Sequence, residues 1–262
     1  MSARVLITGA AGGIGSAAVT ELRSRGATVL GLDLKGDGDQ ILECDVRDQE
    51  SVDRAVAAAI ERLGGLDVLI NNAGIGTPQS AGTAPDADAL AVLDINLIGP
   101  WRVTAAALPT LREARGRVIN VASGLAFVTM PFGTAYCMSK RGLVGYSDAL
   151  RAEHGDAITV TTVYPGYIRT PIHDTSAQLG LGLEGTVPAE RVEDAAETLA
   201  AAALGPPRRD MATTRRGAVS YVAARYTPRR LLDRVFRAQT RSLVRKGHFD
   251  SSEMAREFRT RH

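Results

Sequence analysis

The stretch VLITGAAGGIG, residues 5–15, decides the fold, because four apolar or β-branched residues lead directly into a glycine-rich turn. Helical periodicity follows the turn, over residues 13–25. Glycine tolerates backbone conformations that other residues avoid, so Gly9, Gly13 and Gly15 permit a tight turn and the close approach of another molecule. The free N–H groups at a helix N-terminus favour an anion. A strand, a glycine turn and a helix in this order predict a site for the pyrophosphate of a dinucleotide.

The first 205 residues alternate between short apolar runs and longer amphipathic stretches. The strand-like runs occupy residues 5–8, 27–33, 66–71, 116–123 and 157–165. Helical periodicity occupies residues 13–25, 46–64, 86–98, 100–113, 134–154 and 188–205, the last with Pro188 at its start. Short buried strands separated by helices indicate a parallel sheet with crossover helices on both faces. We therefore predict an α/β fold with a single doubly wound, Rossmann-type sheet over residues 1–205.

The composition is that of an ordinary soluble globular protein, with 45% apolar and 23% charged residues. Two cysteines and four scattered histidines give neither a disulfide framework nor the spacing of metal ligands, so we expect no metal site. The N-terminal residues lack the basic region and longer apolar core of a signal peptide, and no run of about 18 apolar residues suggests a transmembrane helix. We therefore expect a cytoplasmic protein.

Charge is unevenly distributed along the chain. From residue 205 to the end, 15 Lys and Arg stand against five Asp and Glu, a net of +10, whereas the first 204 residues carry 16 against 24, a net of −8. We expect residues 206–262 to form a basic, helical C-terminal extension of the same domain. Its apolar and arginine-rich faces suit a lid or a peripheral contact with an anionic membrane, and also packing on the acidic body or on another subunit. No base-reading motif accompanies the charge, so nucleic acid is not an expected partner.

Asp33 ends the second predicted strand, about 20 residues beyond the glycine turn. A carboxylate at this point accepts hydrogen bonds from the ribose hydroxyls of adenosine and repels a 2′-phosphate. Leu34 follows it, and Gly12 stands in the turn where a cation could hold that phosphate. The sequence therefore favours NAD over NADP as the cofactor.

Tyr136 and Lys140 are four residues apart within a stretch of helical periodicity, so their side chains share one helix face. The chain has 28 arginines and only three lysines, so a lysine at this distance from a tyrosine is mildly surprising by chance. The spacing allows both side chains to reach the same pocket.

These motifs together resemble the short-chain dehydrogenase/reductase family. The resemblance runs through most of residues 1–204 and keeps the family's order. The matches are TGAAGGIG at 8–15, Asp33, Asp45-Val46, NNAG at 71–74, Asn96, Ser123, Tyr136-x-x-x-Lys140 and PGYIRT at 165–170. The resemblance implies a dinucleotide-dependent oxidoreductase.

The resemblance also implies two groups of site residues. The catalytic group is Asn96, Ser123, Tyr136 and Lys140. The cofactor-binding group is Gly9, Gly13, Ile14, Gly15, Asp33, Asp45, Val46, Asn72, Ala73, Gly74, Tyr136, Lys140, Pro165, Gly166, Ile168 and Thr170. Residues 45–46 are expected to border the adenine ring, residues 72–74 to line the cleft, and residues 165–170 to contact the nicotinamide end.

Hydride transfer between an alcohol carbon and a nicotinamide requires a proton to leave or reach the oxygen, and Tyr136 is expected to move it. A tyrosine has an ordinary pKa of ~10, which is too high for an efficient base near neutrality. We expect the ammonium of Lys140 to lower the pKa of Tyr136 and to bond ribose hydroxyls. Ser123 is expected to hold the substrate oxygen, and Asn96 to anchor a water that links Lys140 to bulk solvent.

The loop at 124–135 carries four apolar side chains, Phe127, Val128, Met130 and Phe132. In the family this loop borders the substrate. An apolar lining without a convergent arginine or lysine indicates a hydrophobic alcohol or ketone, and not a phosphorylated or CoA-linked substrate. The glycines of residues 171–185 suggest a mobile lid.

The sequence therefore predicts an NAD-dependent oxidoreductase that interconverts a hydrophobic secondary alcohol and its ketone. A steroid-, retinol- or lipid-like substrate is favoured, since residues 142–170 look similar to steroid- and retinol-oxidising relatives. The alternatives are an NADPH-dependent carbonyl reductase, a sugar or acyl substrate, or a non-catalytic dinucleotide-binding sensor that acts through the basic tail. No catalytic position is missing, which favours the enzyme. By analogy with relatives we expect a homo-oligomer, dimer or tetramer, paired through residues 100–113 and 134–154.

Overall fold

The structure is a computed structural model, and it describes residues 2–182, 184 and 187–261. Within these residues, seven strands form one sheet in which every neighbouring pair is parallel. In spatial order they are β3 (Ile41–Glu43), β2 (Thr28–Asp33), β1 (Arg4–Thr8), β4 (Val68–Asn71), β5 (Arg117–Val121), β6 (Thr159–Tyr164) and β9 (Asp210–Ala212). A separate parallel ribbon pairs β7 (Tyr167–Ile168) with β8 (Ala189–Glu190). The chain starts near the centre of the sheet and winds outward in both directions, so the predicted doubly wound fold is confirmed.

Helices cover both faces of the sheet. In chain order they are α1 (Gly13–Ser24), α2 (Gln49–Leu63), α3 (Ala87–Leu93), α4 (Gly99–Glu113), α5 (Thr134–His154), α6 (Asp174–Gln178), α7 (Val192–Leu204), α8 (Arg215–Tyr226), α9 (Arg229–Arg245) and α10 (Arg256–Thr260). Helices α1 and α7 enclose the core on one face. Helices α2, α4 and α5 enclose the core on the other face.

The alternation of side chains along β1 builds both cores. Val5 and Ile7 are fully buried in the core under α1 and α7, whereas Leu6 between them is fully buried in the core under α2, α4 and α5. Successive side chains of a strand point to opposite faces, so a strand that is covered on both faces is apolar throughout. This is why the run before the glycine turn contains no charged residue.

The helices expected at 86–98 and 100–113 form one continuous helical path. Helix α3 leads into a π-helical turn, Asp94–Ile98, which passes without a break into α4. Pro100 has no N–H to donate to the carbonyl four residues earlier, and the wider turn accommodates the missing bond. Asn96, in the middle of this turn, is fully buried.

The C-terminal part differs from the expectation at two points. The helix expected from residue 188 begins at Val192, because β8 pairs with β7 immediately before it. The segment after residue 205, expected to be helical, first supplies β9, which pairs with β6 and extends the sheet. A strand of three residues leaves no periodicity to detect, so the sequence pattern missed it.

The tail that carries α8, α9 and α10 packs on the loop between β5 and α5. The ring of Phe132 in this loop lies 6.0 Å from that of Phe249 and 5.3 Å from that of Phe258, measured between ring centres. Nη1 of Arg229 donates a hydrogen bond to the carbonyl oxygen of Phe127 at 3.0 Å. Of the helices in the described residues, none is both long and apolar enough to cross a membrane.

Candidate active site

A cleft of about 1270 Å³ lies at the carboxyl ends of the central strands. Every site residue that the sequence predicted, except Asn96, lines this cleft. They are Gly9, Gly13, Ile14, Gly15, Asp33, Asp45, Val46, Asn72, Ala73, Gly74, Ser123, Tyr136, Lys140, Pro165, Gly166, Ile168 and Thr170. In doubly wound sheets, ligands bind at this edge, where the strand order reverses on either side of the first strand.

The glycine turn after β1 packs against the chain that follows β4. The φ angle of Gly9 is +66°, and a Cβ on this residue would lie 2.8 Å from the Cα of Ala73. The side-chain amide of Asn72 donates to the carbonyl oxygens of Thr8 at 3.0 Å and Gly9 at 3.1 Å. A Cβ on Gly15 would lie 2.0 Å from the carbonyl oxygen of Gly9. The turn therefore has room only for glycine at positions 9 and 15.

The N-terminus of α1 opens onto the cleft. Gly12 is its N-cap, and no side chain among the described residues caps it. Across the cleft, a Cβ on Gly13 would lie 2.8 Å from Cγ2 of Thr170. Backbone N–H groups and the helix dipole make an uncapped N-terminus favourable for phosphate. The turn therefore fits the pyrophosphate of a dinucleotide.

Two carboxylates line the part of the cleft next to β2 and β3. The oxygens of Asp33 accept separate backbone hydrogen bonds, from the N–H of Ala11 at 2.9 Å and from that of Leu34 at 2.8 Å. Asp45 pairs with Arg47 at 2.7 Å, and the hydrogen bond from this guanidinium holds the pKa of Asp45 below its ordinary value. Asp33 is thus attached to the glycine turn, where it can accept hydrogen bonds from hydroxyl groups.

Tyr136 and Lys140 lie on one face of α5, as their spacing predicted. Nζ of Lys140 is 5.8 Å from the centre of the Tyr136 ring and donates a hydrogen bond to the carbonyl oxygen of Val121 at 2.9 Å. Burial lowers the pKa of Lys140 to about 8. Burial also raises the pKa of Tyr136 to about 12, although a hydrogen bond with Ser123 acts in the opposite direction.

The expectation that Lys140 lowers the pKa of Tyr136 is therefore wrong for this geometry. Removal of the phenol from water disfavours the phenolate, and burial is the largest cause of the observed shift. The same burial disfavours the charged ammonium. Both groups are held toward their neutral forms, so the site keeps the phenol protonated near neutral pH.

Asn96 lies outside the lining of the cleft. Its Oδ1 accepts a hydrogen bond from the N–H of Ile75 at 2.9 Å, and its Nδ2 donates to the carbonyl oxygen of Ile75 at 2.9 Å and to Oγ of Ser139 at 3.2 Å. A Cβ on Gly74 would lie 3.3 Å from Oδ1 of Asn96 and 3.5 Å from Nζ of Lys140. Asn96 therefore fastens the chain after β4 to α5, close to Lys140. Its expected contact with a water stays a prediction.

Two tyrosines form an aromatic wall of the cleft, and Phe127 packs against both of them, so that three segments of the chain meet there. Tyr164 at the end of β6 and Tyr221 of α8 both line the cleft, with ring centres 4.6 Å apart. Phe127 of the loop after β5 lies 5.4 Å from the first ring and 5.2 Å from the second. The hydroxyl of Tyr164 donates to Oδ1 of Asp210 at 2.9 Å. Helix α8 of the basic tail therefore covers the cleft, which is one of the roles that the sequence left open.

The loop residues expected to border the substrate are placed differently. Val128 lines the cleft, but Phe127 and Met130 are not part of the lining. Phe132 is buried with Phe249 in an apolar cluster of the tail. The expectation is wrong for these three residues, because the position of the tail over the loop left no trace in the loop's own sequence.

Two arginines line the cleft, although the sequence predicted no convergent cation there. Arg191 pairs with Glu193 at 3.2 Å. Arg216, in the first turn of α8, is exposed, and no described residue forms an ion pair with it. Both were overlooked because neither the start of α7 nor the tail was assigned to the site.

The segment at 171–185, expected to be a lid, also contributes to the cleft, through Ile172, His173 and Thr175. It forms a short 3₁₀ turn, Pro171–His173, followed by α6. Burial lowers the pKa of His173. Residues 183 and 185 of this segment lie outside the described residues, and its mobility stays a prediction.

Glu190 is a site residue that the sequence did not reveal. Its Oε2 accepts a hydrogen bond from the N–H of Gly166 at 2.8 Å, and its Oε1 accepts one from Oγ1 of Thr214 at 2.6 Å. The hydroxyl of Thr213 donates to the same carboxylate. A lone glutamate inside an apparent helical pattern carries no signal of such a role. The structure shows that it joins residues 165–170 to the N-terminus of α8.

The family model described as short chain dehydrogenase matches residues 3–179. The chain is 38% identical over 187 residues to retinol dehydrogenase 16 of Homo sapiens, a match that covers 64% of this chain and 57% of that protein. It is 34% identical over 189 residues to oxidoreductase UcpA of Salmonella typhimurium, covering 66% of this chain and 72% of that protein. It is 32% identical over 213 residues to the 3-oxoacyl-[acyl-carrier-protein] reductase FabG of Haemophilus influenzae, covering 76% and 88%.

Solved structures are similar over most of the chain. A short chain dehydrogenase from Burkholderia cenocepacia in complex with NADP has a TM-score of 0.76 at 26% identity, covering 89% of this chain and 97% of that one. Levodione reductase has a TM-score of 0.74 at 25% identity, covering 83% and 97%. The family match, the relatives and the arrangement of the cleft all indicate the same family. The chain belongs to the short-chain dehydrogenase family and is an NAD(P)-dependent oxidoreductase that acts on CH–OH groups.

Proposed function

We propose that the protein interconverts an apolar secondary alcohol, steroid-, retinol- or lipid-like, and the corresponding ketone with NAD as the cofactor. The observation that carries the proposal is that Ser123, Tyr136 and Lys140 line the same cleft as the glycine turn and the aromatic wall of Tyr164 and Tyr221. One part of the cleft suits a dinucleotide, and another part suits an apolar molecule. The similarity to a retinol dehydrogenase also supports an apolar alcohol.

When bound, a nicotinamide dinucleotide supplies or accepts the hydride of this reaction. We assign its pyrophosphate to the N-terminus of α1 and its adenosine ribose to Asp33. Residues 165–170 are assigned to the nicotinamide end. Asp33 supports NAD over NADP, because its carboxylate accepts hydrogen bonds from hydroxyls and repels a 2′-phosphate. Leu34, 57% exposed beside it, offers no cation to hold that phosphate.

Tyr136 is the group that moves the proton in this proposal. In ketone reduction its hydroxyl donates a proton to the carbonyl oxygen, while Ser123 holds the same oxygen. A phenol with a pKa of about 12 stays protonated near neutrality, which is the form that donates the proton in this step. In alcohol oxidation the phenol must first lose its proton. Lys140, with a pKa of about 8, is the buried cation on the same helix face that can then stabilise the phenolate.

We also propose a homo-oligomer that pairs through α4 and α5. Trp101 of α4 and Met138 of α5 are both 57% exposed. The ring of Trp101 lies 5.7 Å from that of Tyr146, so an apolar surface spans the two helices. We further propose that the protein is cytoplasmic and that its basic tail makes a peripheral contact with a membrane.

A second candidate is a reductase whose ketone is attached to an anionic group. Arg216 at the cleft favours it, because an exposed guanidinium without an ion pair among the described residues can bind a phosphate or carboxylate. The similarity to a 3-oxoacyl-[acyl-carrier-protein] reductase points in the same direction. An NADPH-dependent carbonyl reductase would fit this candidate.

The test follows the absorbance of the reduced nicotinamide with NAD and, separately, with NADP. The panel contains apolar secondary alcohols and ketones, including steroids and retinoids, and a 3-oxoacyl thioester for the second candidate. Replacement of Tyr136 by Phe is expected to lower kcat by ~1000-fold, within the range of general acid–base catalysis, and to leave the Kd of NADH within about twofold.

Tyr146→Phe is the matched control, because it removes another phenol of α5 whose pKa burial raises to about 12. This control is expected to keep its activity. Undiminished turnover in Tyr136→Phe would contradict the mechanism. Turnover with NADP alone would overturn the argument from Asp33. Cofactor binding with no turnover of any substrate would favour the alternative of a non-catalytic dinucleotide-binding sensor.

A further inference from the structure

Helix α9 carries a row of arginines that form no ion pair with any residue that the structure describes. They recur at intervals of three or four residues and so form a continuous stripe along the helix. The stripe consists of Arg230, Arg234, Arg237, Arg241 and Arg245. All five are exposed, and no carboxylate of the described residues forms an ion pair with them. Residues 1–204 have a formal net charge of −8, but no carboxylate that the structure describes in this range forms an ion pair with the stripe.

Exposed apolar side chains border this stripe on the same helix. Leu231 and Val235 are 51% and 53% exposed. At about 3.6 residues per turn they form a short row between the stripe and the face that carries the buried Leu232. The helix therefore has three faces, one that packs on the protein, one that is basic and one that is apolar and open to solvent.

Helix α8 adds a second exposed apolar row on the side away from the cleft. Val219, Val222 and Tyr226 follow one another at helical spacing and are 72%, 51% and 73% exposed. Gly217 and Tyr221 on the other side of α8 line the cleft. Two residues connect this helix to α9. The helix that covers the cleft therefore has an apolar outer surface next to the arginine stripe in the chain.

We propose that α8 and α9 form a docking surface for an anionic lipid bilayer. Arginines attract the acidic headgroups of such a bilayer, and exposed apolar side chains enter its interfacial layer. A second copy of this chain is a poorer occupant, because a two-fold contact through the stripe would place identical arginines against one another. A nucleic acid is also poorer, because it would leave the apolar rows of both helices unmatched.

The consequence for the enzyme rests on the proposed function. If the substrate is apolar, it dissolves in the bilayer, and the helix that covers the cleft is the one that meets the lipid. Docking would then bring the covered end of the cleft to the phase that holds the substrate. The docking surface itself is independent of catalysis, so it can be tested without a substrate.

The experiment is sedimentation of the full chain with vesicles. One set is phosphatidylcholine alone, and in the other about a third of the lipid is phosphatidylglycerol, each at low and at high salt. The protein is expected to sediment with the anionic vesicles at low salt and to be released at high salt. The double variant Arg234→Gln, Arg241→Gln is expected to bind these vesicles roughly tenfold more weakly or worse. Leu231→Ser with Val235→Ser is expected to weaken binding as well.

The matched control is Arg54→Gln with Arg62→Gln, two exposed arginines of α2, which is expected to bind within about twofold of the wild type. No binding to anionic vesicles at low salt overturns the proposal. An equal loss in the control also overturns it, because net charge and not the stripe would then determine binding. Tighter binding to a DNA duplex, or self-association that the stripe variant abolishes, would assign the surface to another partner and overturn it too. Activity is not read in any arm, so failure of the proposed reaction leaves the result intact.

Discussion

The ammonium nitrogen of Lys140 lies 5.8 Å from the centre of the Tyr136 ring, one helical turn further along α5. Burial moves the pKa of the phenol up to about 12 and that of the ammonium down to about 8. Both changes favour the uncharged forms. Ionisation of either group therefore costs free energy in the folded protein. This cost affects the free energy of unfolding as well as the reaction.

Replacement of Lys140 by Met is expected to stabilise the protein near neutral pH while removing activity. The ordinary lysine pKa of 10.5 falls to about 8 in the fold, and this lowering corresponds to a penalty of about 3 kcal/mol for the charged form. The wild type bears the full penalty below pH 8. The penalty fades as the pH rises from about 8 to 10.5, because the folded protein releases the proton at a decreasing cost, and it is gone once the unfolded chain is neutral as well.

Thermal unfolding of wild type and Lys140→Met at pH 7 and pH 10 measures this effect. The variant is expected to unfold at a higher temperature at pH 7, and its advantage is expected to shrink at pH 10. Lys35→Met, a change of an exposed lysine, is the control and should show no such pH dependence. A Lys140→Met protein that is less stable than the wild type at pH 7 would contradict the burial argument.

Gly15 and Gly145 give opposite expectations for the same substitution. A Cβ on Gly15 would lie 2.0 Å from the carbonyl oxygen of Gly9, whereas a Cβ on Gly145 would meet nothing within 4 Å. Gly15→Ala is expected to cost about 3 kcal/mol and to abolish dinucleotide binding, because the atom it meets is backbone. Gly145→Ala, inside α5, is expected to add ~0.5–1 kcal/mol of stability.

The two glycine variants are compared by denaturant unfolding and by titration with NADH. Equal effects of both substitutions would show that the turn relaxes to admit a methyl group. Retained NADH binding in Gly15→Ala would remove the argument that the turn is shaped for pyrophosphate.

The fold could be predicted because its signals are local. Val5, Leu6 and Ile7 must all be apolar in a strand that is buried on both faces, and the glycine turn that follows them must hold residues without a side chain. Each signal lies within a few residues of sequence. The order of the motifs then identified the sheet edge at which the predicted residues meet.

The remainder of the site depends on contacts between distant segments, which leave no periodicity. Glu190 reaches Gly166 and Thr214, each 24 residues away. Tyr221 belongs to the tail and contacts Phe127, which is distant in sequence. The sequence therefore did not predict that Tyr221 lines the cleft. The predicted direction of the Tyr136 pKa shift was wrong for a similar reason. Burial depends on the whole fold, whereas the spacing between Tyr136 and Lys140 is local.

Asp33 is expected to control the choice between NAD and NADP. Asp33→Asn removes the charge and keeps an oxygen that can accept the bond from Ala11. Combined with Leu34→Arg, it supplies a cation where the 2′-phosphate would lie. The ratio of kcat/KM for NADP to that for NAD is expected to rise by ~100-fold or more, since like-charge contacts cost several kcal/mol.

The control for the Asp33→Asn part of the change is Asp39→Asn, which alters the net charge by the same +1 at an exposed position. It is expected to leave the ratio unchanged. A ratio that rises equally in the control would assign the effect to the overall field of the protein. A ratio that does not change in the Asp33 variant would mean that this carboxylate does not meet the ribose.

Glu190 is expected to couple the cofactor end of the cleft to the tail. Its carboxylate accepts from Gly166 on one side and from Thr214, the N-cap of α8, on the other. Hydrogen bonds to a charged group contribute ~1.5–3 kcal/mol, so Glu190→Ala is expected to weaken NADH binding and to raise the substrate KM by tenfold or more. Glu190→Gln keeps one accepting oxygen and should restore part of both.

Thr214→Val separates the two arms of this contact, because it removes the bond to α8 and leaves the bond to Gly166. It is expected to raise the substrate KM, since α8 carries the cleft-lining Tyr221, and to leave the Kd of NADH unchanged. A fall in NADH affinity equal to that of Glu190→Ala would show that the carboxylate acts only through the tail helix. If Glu190→Ala changes neither the Kd of NADH nor the substrate KM, the hydrogen bonds of Glu190 contribute only to local packing. The split between the two constants therefore distinguishes a positioning residue of the cleft from a merely structural one.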